Sequence, residues 1–248
     1  MRVLVLTGVQ EELLPIVRRL ALRFDNSVRA YRSSQYPDLY AATTGPGIQK
    51  RGAIRKLITE TVPHAIINAG LVGILREPDH LEAGDRCRLG EVIDSRTRIV
   101  YPGGPGRDRL VSVDKPVFAP YEKMDVATDF SARLVDMEAA PLLNLVGQLE
   151  EVSTGSVVVF CKVVGDRPDT YYLHQYEHLV RGWHRKSRLE KWISGMRFPG
   201  GPWRLRKLLT MKDKALESLA AHTEHVTLRI LNHPGGMATT IDSVFIPH

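Results

Sequence analysis

Cysteine is scarce in this sequence, with only Cys87 and Cys161 among 248 residues. So few cysteines exclude the disulfide framework that is typical of small secreted domains. Long apolar runs are also missing, because none approaches the ~20 residues that a membrane-spanning helix needs. The opening MRVLVLTGVQEELL has a short apolar run but no small-residue cleavage site, so a buried first strand explains it better than a signal peptide. We therefore expect a cytoplasmic protein that does not associate with membranes.

Positive charge is in excess, with a formal net charge of +6. Much of it falls in residues 181–214, where Trp183, Trp192 and Trp203 are interleaved with arginine and lysine. Stacking aromatics among cations would suit single-stranded nucleic acid. An amphipathic pattern explains the segment more simply, as helices with a solvated basic face and tryptophans packed inward. A nucleic-acid partner is therefore not expected. The apolar face that this pattern predicts consists of Leu205, Leu208, Leu209, Leu216 and Leu219.

The first third of the chain repeats one rhythm of buried strand, glycine-containing turn and helix. Residues 3–6, 39–43 and 65–69 are short runs rich in β-branched residues, leucine and alanine, typical of strands buried on both faces. Helical spacing follows the first two, and Pro15 is compatible with the first helix only in its opening turn. The third run enters an apparent turn at residues 70–73. This alternation predicts a mainly parallel sheet covered by helices.

The remaining elements are predicted from the same patterns. A helix begins near Met137, and the long apolar run 156–164 predicts a central strand. The chain then reads as helical to about residue 221, with a short strand-like piece at 226–231. Three further short strands are predicted at residues 91–93, 98–101 and 110–113.

Ligands of such sheets bind at the carboxyl ends of the strands. There the sequence places Glu12 after the first strand, Gly45 after the second, and Asp166 after the long late strand. Taken singly, each has an ordinary structural explanation: Asp136 before a helix is an N-cap, and Asp166 is a cap or an ion-pair partner. Their order along the chain is the more informative feature.

Five motifs in this order resemble the purine nucleoside phosphorylase-like family, and its nucleosidase branch most closely. The resemblance covers roughly residues 1–172. It rests on GVQEE at 8–12, TGPG at 44–47, PHAIINAGLVGIL at 63–75 with GD at 84–85, DMEAA at 136–140 and VGDRPD at 164–169. The implied fold is three-layer α/β, with a mainly parallel, mixed central sheet flanked by helices. Residues 1–172 are expected to form the catalytic core, and 173–248 a mostly helical extension packed on the same domain.

The resemblance implies cleavage of the N-glycosidic bond of a purine nucleoside or a 5′-substituted adenosine. Asp166 is the acid that assists the leaving base, and Glu12 activates water, while Met137 and Glu138 hold the sugar. Other substrate-binding positions implied are Gly70, Leu71, Gly45 and an aromatic that stacks on the base, Phe130 or Phe118. The family is commonly dimeric or hexameric, so a homodimer or higher homo-oligomer is expected.

Hydrolysis is favoured over phosphorolysis, because Asn68 stands where many family phosphorylases have an arginine, and Glu12 is a poor neighbour for phosphate. Phosphorolysis stays open, because Arg29, Arg32 or Arg51 could supply the missing charge. Two departures leave a third alternative, a nucleoside-binding protein without activity. Leu71 and Gly165 stand where the family usually has serine.

No cofactor is expected, except phosphate as co-substrate if the enzyme is a phosphorylase. No metal is expected either, because His174 and His178 have no third ligand at metal spacing.

Overall fold

The computed structural model describes residues 1–76, 80–149, 155–166, 191, 196–198, 201–232 and 243–245. Within these residues the chain alternates strands and helices around one large sheet. The strands are β1 (Val3–Thr7), β2 (Leu22–Asp25), β3 (Ala30–Ser33), β4 (Leu39–Thr43), β5 (Ala65–Ile74), β6 (Leu89–Asp94), β7 (Val100–Pro102), β8 (Asp108–Ser112), β9 (Leu134–Asp136), β10 (Val157–Asp166) and β11 (Ser243–Phe245). The helices are α1 (Gln10–Arg19), α2 (Arg51–Thr61), α3 (Pro120–Phe130), α4 (Ala139–Gly147) and α5 (Gly201–Asn232), with a short 3-10 helix at Pro46–Ile48.

Strand β5 is the centre of this sheet. Its first half lies between β1 and β10, and it runs parallel to both. Its last residues pair antiparallel with β9, which begins a second group in which β9, β8 and β6 are parallel to one another. The strand order is β2-β3-β4-β1-β5-β9-β8-β6-β7, and β10 pairs with β5 and β11. The strand direction within the sheet therefore reverses between β5 and β9, at the carboxyl end of β5.

Helices cover both faces of the sheet, which gives the three layers predicted from the sequence. On one face, α2 and α4 pack on the strands through residues such as Ile54, Leu57 and Leu142. On the other face, α1 and α5 do so through Ile16 and Leu219. The predicted strands at 3–6 and 39–43 are confirmed almost to the residue. The first is fully buried and the second largely so, and each is paired on both sides.

The predicted glycine turn at residues 70–73 is wrong, because β5 continues without interruption to Ile74. Pairing explains the difference, since β10 remains hydrogen-bonded alongside these residues as far as Gly73. Residues 70–73 therefore form strand because β10 supplies a backbone partner along them, although β1 pairs with β5 only as far as Asn68. The prediction for Pro15 is also wrong: α1 begins at Gln10, so Pro15 lies beyond the opening turn. The carbonyl left without its helical donor belongs to the exposed Glu11.

The carboxyl-terminal helix also differs from the prediction in two respects. Residues 226–231 are helical, not strand-like, and lie within α5. Thr223, Thr227 and Ile230 are buried there, and this spacing of three to four residues marks one helix face. Trp203 is 80% exposed instead of packed inward, while Trp183 and Trp192 lie outside the described residues. Helix α5 packs against α1, β10 and β5.

Candidate active site

Glu12 is the first of the strand-end carboxylates that the fold buries. It lies in the first turn of α1, and its side chain folds back over the chain that leaves β1. The backbone N–H groups of Gly8 and Val9 donate to Oε2 at 3.1 and 3.3 Å, and the N–H of Leu71 donates to Oε1 at 2.8 Å. Both oxygens are thus held by backbone donors, one pair from the turn between β1 and α1 and the third from β5.

Burial dominates the ionisation of Glu12. It raises the pKa of the carboxyl above its ordinary value, while the hydrogen bond from Leu71 and the charge of Lys162 act in the opposite direction without cancelling it. A carboxylate that is held in place and has a raised pKa is a stronger base than an exposed one, which suits a general base.

Lys162 and Asp136 form an ion pair in the interior. The ammonium nitrogen of Lys162 lies 2.7 Å from Oδ2 of Asp136, and the two side chains are 1% and 0% exposed. Asp136 also accepts hydrogen bonds from the hydroxyl of Ser112 at 2.6 Å and the N–H of Ala139 at 3.1 Å. Burial alone lowers the pKa of Lys162, but the charges of Asp136 and Glu138 outweigh it and the pKa is raised. Lys162 is therefore a cation fixed inside the protein.

Glu138 is the third carboxylate of this site, and it lies close to Gly8, in the turn between β1 and α1. A Cβ atom built on Gly8 would lie 2.7 Å from Oε1 of Glu138 and 3.4 Å from Oε2 of Glu12, so Gly8 separates the two carboxylates and leaves room for both. Burial, together with the charges of Asp136 and Glu12, raises the pKa of Glu138 to about 7, although the charge of Lys162 acts in the opposite direction. Glu138 therefore titrates close to neutrality.

The turn that follows β4 also lies next to this site. The turn after β4 has Gly45 and Gly47 at positive φ, +73° and +60°, a conformation that favours glycine. A Cβ on Gly47 would be 3.9 Å from the carbonyl oxygen of Met137. The structure thus brings the turn of Gly45 to the segment that carries Met137 and Glu138.

Leu71 and Gly165 lie against each other across β5 and β10. A Cβ atom on Gly165 would be 2.7 Å from both Cβ and Cδ1 of Leu71, a separation that atoms cannot adopt without a shift. The pairing of the two strands also has an irregularity between Val164 and Asp166. The two departures from the family pattern are thus neighbours in space, and one side chain fills the room of both.

The remaining predicted residues are placed differently. Asp166 is the last residue of β10, opposite Gly73 of β5, and Gly70 lies 3.4 Å from the Lys162 ammonium, measured from the position of a Cβ. Phe130 packs in a separate cluster at the end of α3, with the guanidinium of Arg98 4.2 Å above its ring. Its role in stacking on a base stays a prediction, as does that of Phe118.

Among the residues that the structure describes, no group of three His, Cys, Asp or Glu could hold a metal ion. His174 and His178 lie outside those residues. Likewise, none of the helices that the structure describes is long and apolar enough to cross a bilayer.

Comparison with known proteins places this geometry in a known fold. No protein-family model and no curated protein sequence matches the chain. Solved structures do. Futalosine hydrolase of Helicobacter pylori superposes with a TM-score of 0.64 at 10% identity, covering 92% of this chain and 98% of that one. The 5′-methylthioadenosine nucleosidase of Arabidopsis thaliana gives 0.61 at 18% identity, with 95% and 96% covered.

The chain has the nucleosidase fold. A third structure, the 5′-methylthioadenosine/S-adenosylhomocysteine nucleosidase of Helicobacter pylori with butyl-thio-DADMe-Immucillin-A, superposes at 0.63 with 10% identity, covering 92% of this chain and 98% of that one. The predicted fold class is thereby confirmed. The carboxylates of Glu12 and Glu138 gather at the point where the nucleosidase fold changes sheet direction, which is where an open α/β sheet offers a crevice.

Lys162 is the residue of this site that the sequence analysis missed. A signal was present, because a single lysine interrupts the apolar run VVVFCKVV at residues 157–164. A central strand buried on both faces has no room for an unpaired ammonium. Such a lysine therefore predicts a buried carboxylate partner, although only the folded structure shows that the partner is Asp136.

Proposed function

We propose that this protein hydrolyses the N-glycosidic bond of a purine nucleoside or a 5′-substituted adenosine. The observation that carries the proposal is the buried carboxylate of Glu12, held by three backbone N–H groups and set beside Glu138 across Gly8. Bond cleavage of this kind passes through an oxocarbenium-like state and needs a base for water, a hold on the sugar and an acid for the leaving group.

The reaction divides among three residues. Glu12 takes a proton from a water molecule while the oxygen of that water forms a bond to the anomeric carbon of the sugar. Glu138 accepts hydrogen bonds from the two ribose hydroxyls and thereby orients the ring, with Met137 alongside. Asp166, at the end of β10, donates a proton to the purine as the carbon–nitrogen bond breaks. The products are the free base and the free sugar, and proton exchange with solvent then restores both carboxyl groups.

Lys162 supports this arrangement without touching the substrate. Its ammonium is paired with Asp136 and lowers the pKa of both Glu12 and Glu138. It therefore limits how far burial can neutralise the carboxylates that must act as base and hydrogen-bond acceptor. No cofactor is needed for these steps.

The same charges argue against phosphorolysis. A phosphate beside the anomeric carbon would face the carboxylates of Glu12 and Glu138, and the buried ammonium nearby is already paired with Asp136. Phosphate sites are usually built from arginine and unoccupied backbone N–H groups, whereas the N–H groups of Gly8, Val9 and Leu71 are used by Glu12.

Release of free base from a panel of nucleosides, with and without phosphate, tests the proposal. We expect release in the absence of phosphate, and Glu12→Gln should slow it about 100- to 10,000-fold. Release that depends strictly on phosphate would identify a phosphorylase. Tight nucleoside binding with no release under either condition would identify a binding protein.

The protein is also proposed to act as a homo-oligomer in the cytoplasm. Large apolar side chains are exposed on α3 and beside it, including Tyr121 at 69% and Met124 at 61%. Cys87 and Cys161 are both buried and form no disulfide. Analytical ultracentrifugation tests the first point. A single monomeric species at micromolar concentration would contradict it.

A further inference from the structure

Leu71 is the one residue of β5 that is not fully buried. The other nine residues of this strand are buried, and Leu71 alone is half-buried. The inner part of its side chain packs on the core beneath α1 and α5, so only part of its hydrocarbon is accessible. That part belongs to the same residue whose N–H holds the Glu12 carboxylate at 2.8 Å.

The same side chain also reaches the end of β10. Leu71 lies over Gly165 so closely that a Cβ there would be 2.7 Å from its Cβ and Cδ1 and 3.0 Å from its Cγ. Gly165 directly precedes Asp166, so the leucine covers the backbone that leads into the proposed acid. Leu71 therefore contacts the residue proposed to activate water through its backbone N–H, and through its side chain it contacts the residue that precedes the proposed acid.

An apolar surface is what a purine ring needs at this point. The aromatic residue predicted for that role, Phe130, is packed in another cluster and has the Arg98 guanidinium over its ring. A leucine side chain can contact a flat ring through dispersion and removal of water. Neither Leu71 nor Gly165 contributes a side-chain hydroxyl, so this part of the wall recognises shape and apolar area instead of a hydrogen-bonding pattern.

We propose that Leu71, fitted against Gly165, is the residue that contacts the leaving base and determines which bases the site accepts. The inference rests on the proposed function, since it assigns the base end of that same site. Because the contact is apolar, the site should accept flat nitrogenous bases that differ in their exocyclic groups.

Binding of free adenine and of adenosine separates this role from a structural one. Leu71→Ala should weaken adenine binding about tenfold, because a large part of the buried hydrocarbon is lost. The ratio of adenosine to adenine affinity should not change, because the sugar contacts remain. Leu71→Met, which keeps the hydrocarbon, should stay within about twofold of the parent. Glu138→Gln should show the opposite pattern, with adenine affinity kept and the ratio lowered.

The close packing of Leu71 against Gly165 can be tested by measuring thermal stability. Gly165→Ser should lower the melting temperature by roughly 3–10 °C, because overpacking forces a shift in a close-packed strand pair. In the double variant with Leu71→Ala the loss should be smaller than the sum of the two single losses. Additive losses would show that the residues do not share one space and would contradict the pairing.

The outcomes distinguish this inference from the proposed function. If the parent protein releases base while Leu71→Ala binds adenine as the parent does, the role of Leu71 is overturned and the enzyme assignment stands. If the parent neither binds adenine nor releases base, the proposed function fails and the base-contacting role fails with it. If the parent releases base, and Leu71→Ala binds adenine more weakly with an unchanged ratio of adenosine to adenine affinity, both the proposed function and the role of Leu71 are supported.

Discussion

Two regions beside the carboxyl-terminal half of β5 are packed in different ways, one by charged side chains and the other by apolar contact. On one side Glu12, Glu138 and Asp136 gather around the ammonium of Lys162. On the other side Leu71 fits against the bare backbone of Gly165. The charged side depends on matched partners, because an unpaired buried charge is expensive. The apolar side depends on volume alone, so the two sides should respond to mutation in different ways.

Removing the cation should break the charged side most severely. Lys162→Met leaves Asp136 buried without its ion-pair partner, and we expect the free energy of unfolding to fall by ~3–5 kcal/mol. Urea denaturation measures the change. Lys162→Arg keeps the charge and should recover part of the stability, which a purely steric effect would not allow. Unchanged stability in Lys162→Met would show that the ion pair does not matter to the fold.

Glu12→Gln should separate chemistry from stability. The amide keeps the shape of the side chain but cannot take a proton from water, so base release should fall about 100- to 10,000-fold. Nucleoside binding should be kept. Glu11→Gln is the matched control, because Glu11 is exposed and its contact is with Lys212 at 2.5 Å on the surface, a kind of pair that contributes roughly 0–1 kcal/mol. Equal activity loss in both variants would argue against a specific role for Glu12.

The titration of Glu138 should be visible in nucleoside affinity. Its pKa is raised to about 7, so the carboxyl is mainly protonated below that pH and mainly ionised above it. An ionised carboxylate accepts hydrogen bonds from both ribose hydroxyls, so adenosine affinity should rise about tenfold between pH 6 and pH 8. In Glu138→Gln, which has no carboxyl group to ionise at this position, the rise should be smaller. A parent affinity independent of pH would contradict the assignment.

Stability should change with pH in the opposite direction. A carboxyl whose pKa is raised on folding, here from 4.5 to about 7, binds more protons in the folded state within that interval. The free energy of unfolding is therefore highest below about pH 4.5 for this group and falls as the pH rises to about 7. Replacing Glu138 with Gln should remove most of this slope, measured as denaturation midpoints from pH 4.5 to 8.

Two glycines offer the finest comparison within the charged side. In Gly8→Ala the new Cβ would lie 2.7 Å from Oε1 of Glu138, whereas in Gly70→Ala the nearest atom is the Lys162 nitrogen at 3.4 Å. Gly8→Ala should displace the Glu138 carboxylate and weaken adenosine binding several-fold, with a melting temperature within about 2 °C because a flexible side-chain end can move. Gly70→Ala should leave the melting temperature within the same limit, because no atom comes closer than 3.4 Å to the new Cβ. An adenosine affinity of Gly8→Ala equal to that of the parent would show that the position of Glu138 does not matter.

Much of the architecture could be predicted from local pattern. Runs such as VLVLT of β1 and LYAAT of β4 are apolar on both faces, and burial on both faces is what a central parallel strand requires. The positions of Glu12, Glu138 and Asp166 at strand or helix ends also followed from this pattern. The prediction failed where pairing or packing overrides local preference. Gly70 and Gly73 stay in a strand because β10 pairs with both, and residues 226–231 stay helical because α5 packs through one face.

The sequence by itself determined the order of the elements and the residue types at their ends, because hydrophobic period and turn chemistry are local properties. Only the tertiary structure decided which of these residues meet. Lys162 finds Asp136 26 positions away in the chain, and Leu71 finds Gly165 across two paired strands. Such contacts depend on strand register and on the change of sheet direction at β5, which no local pattern encodes.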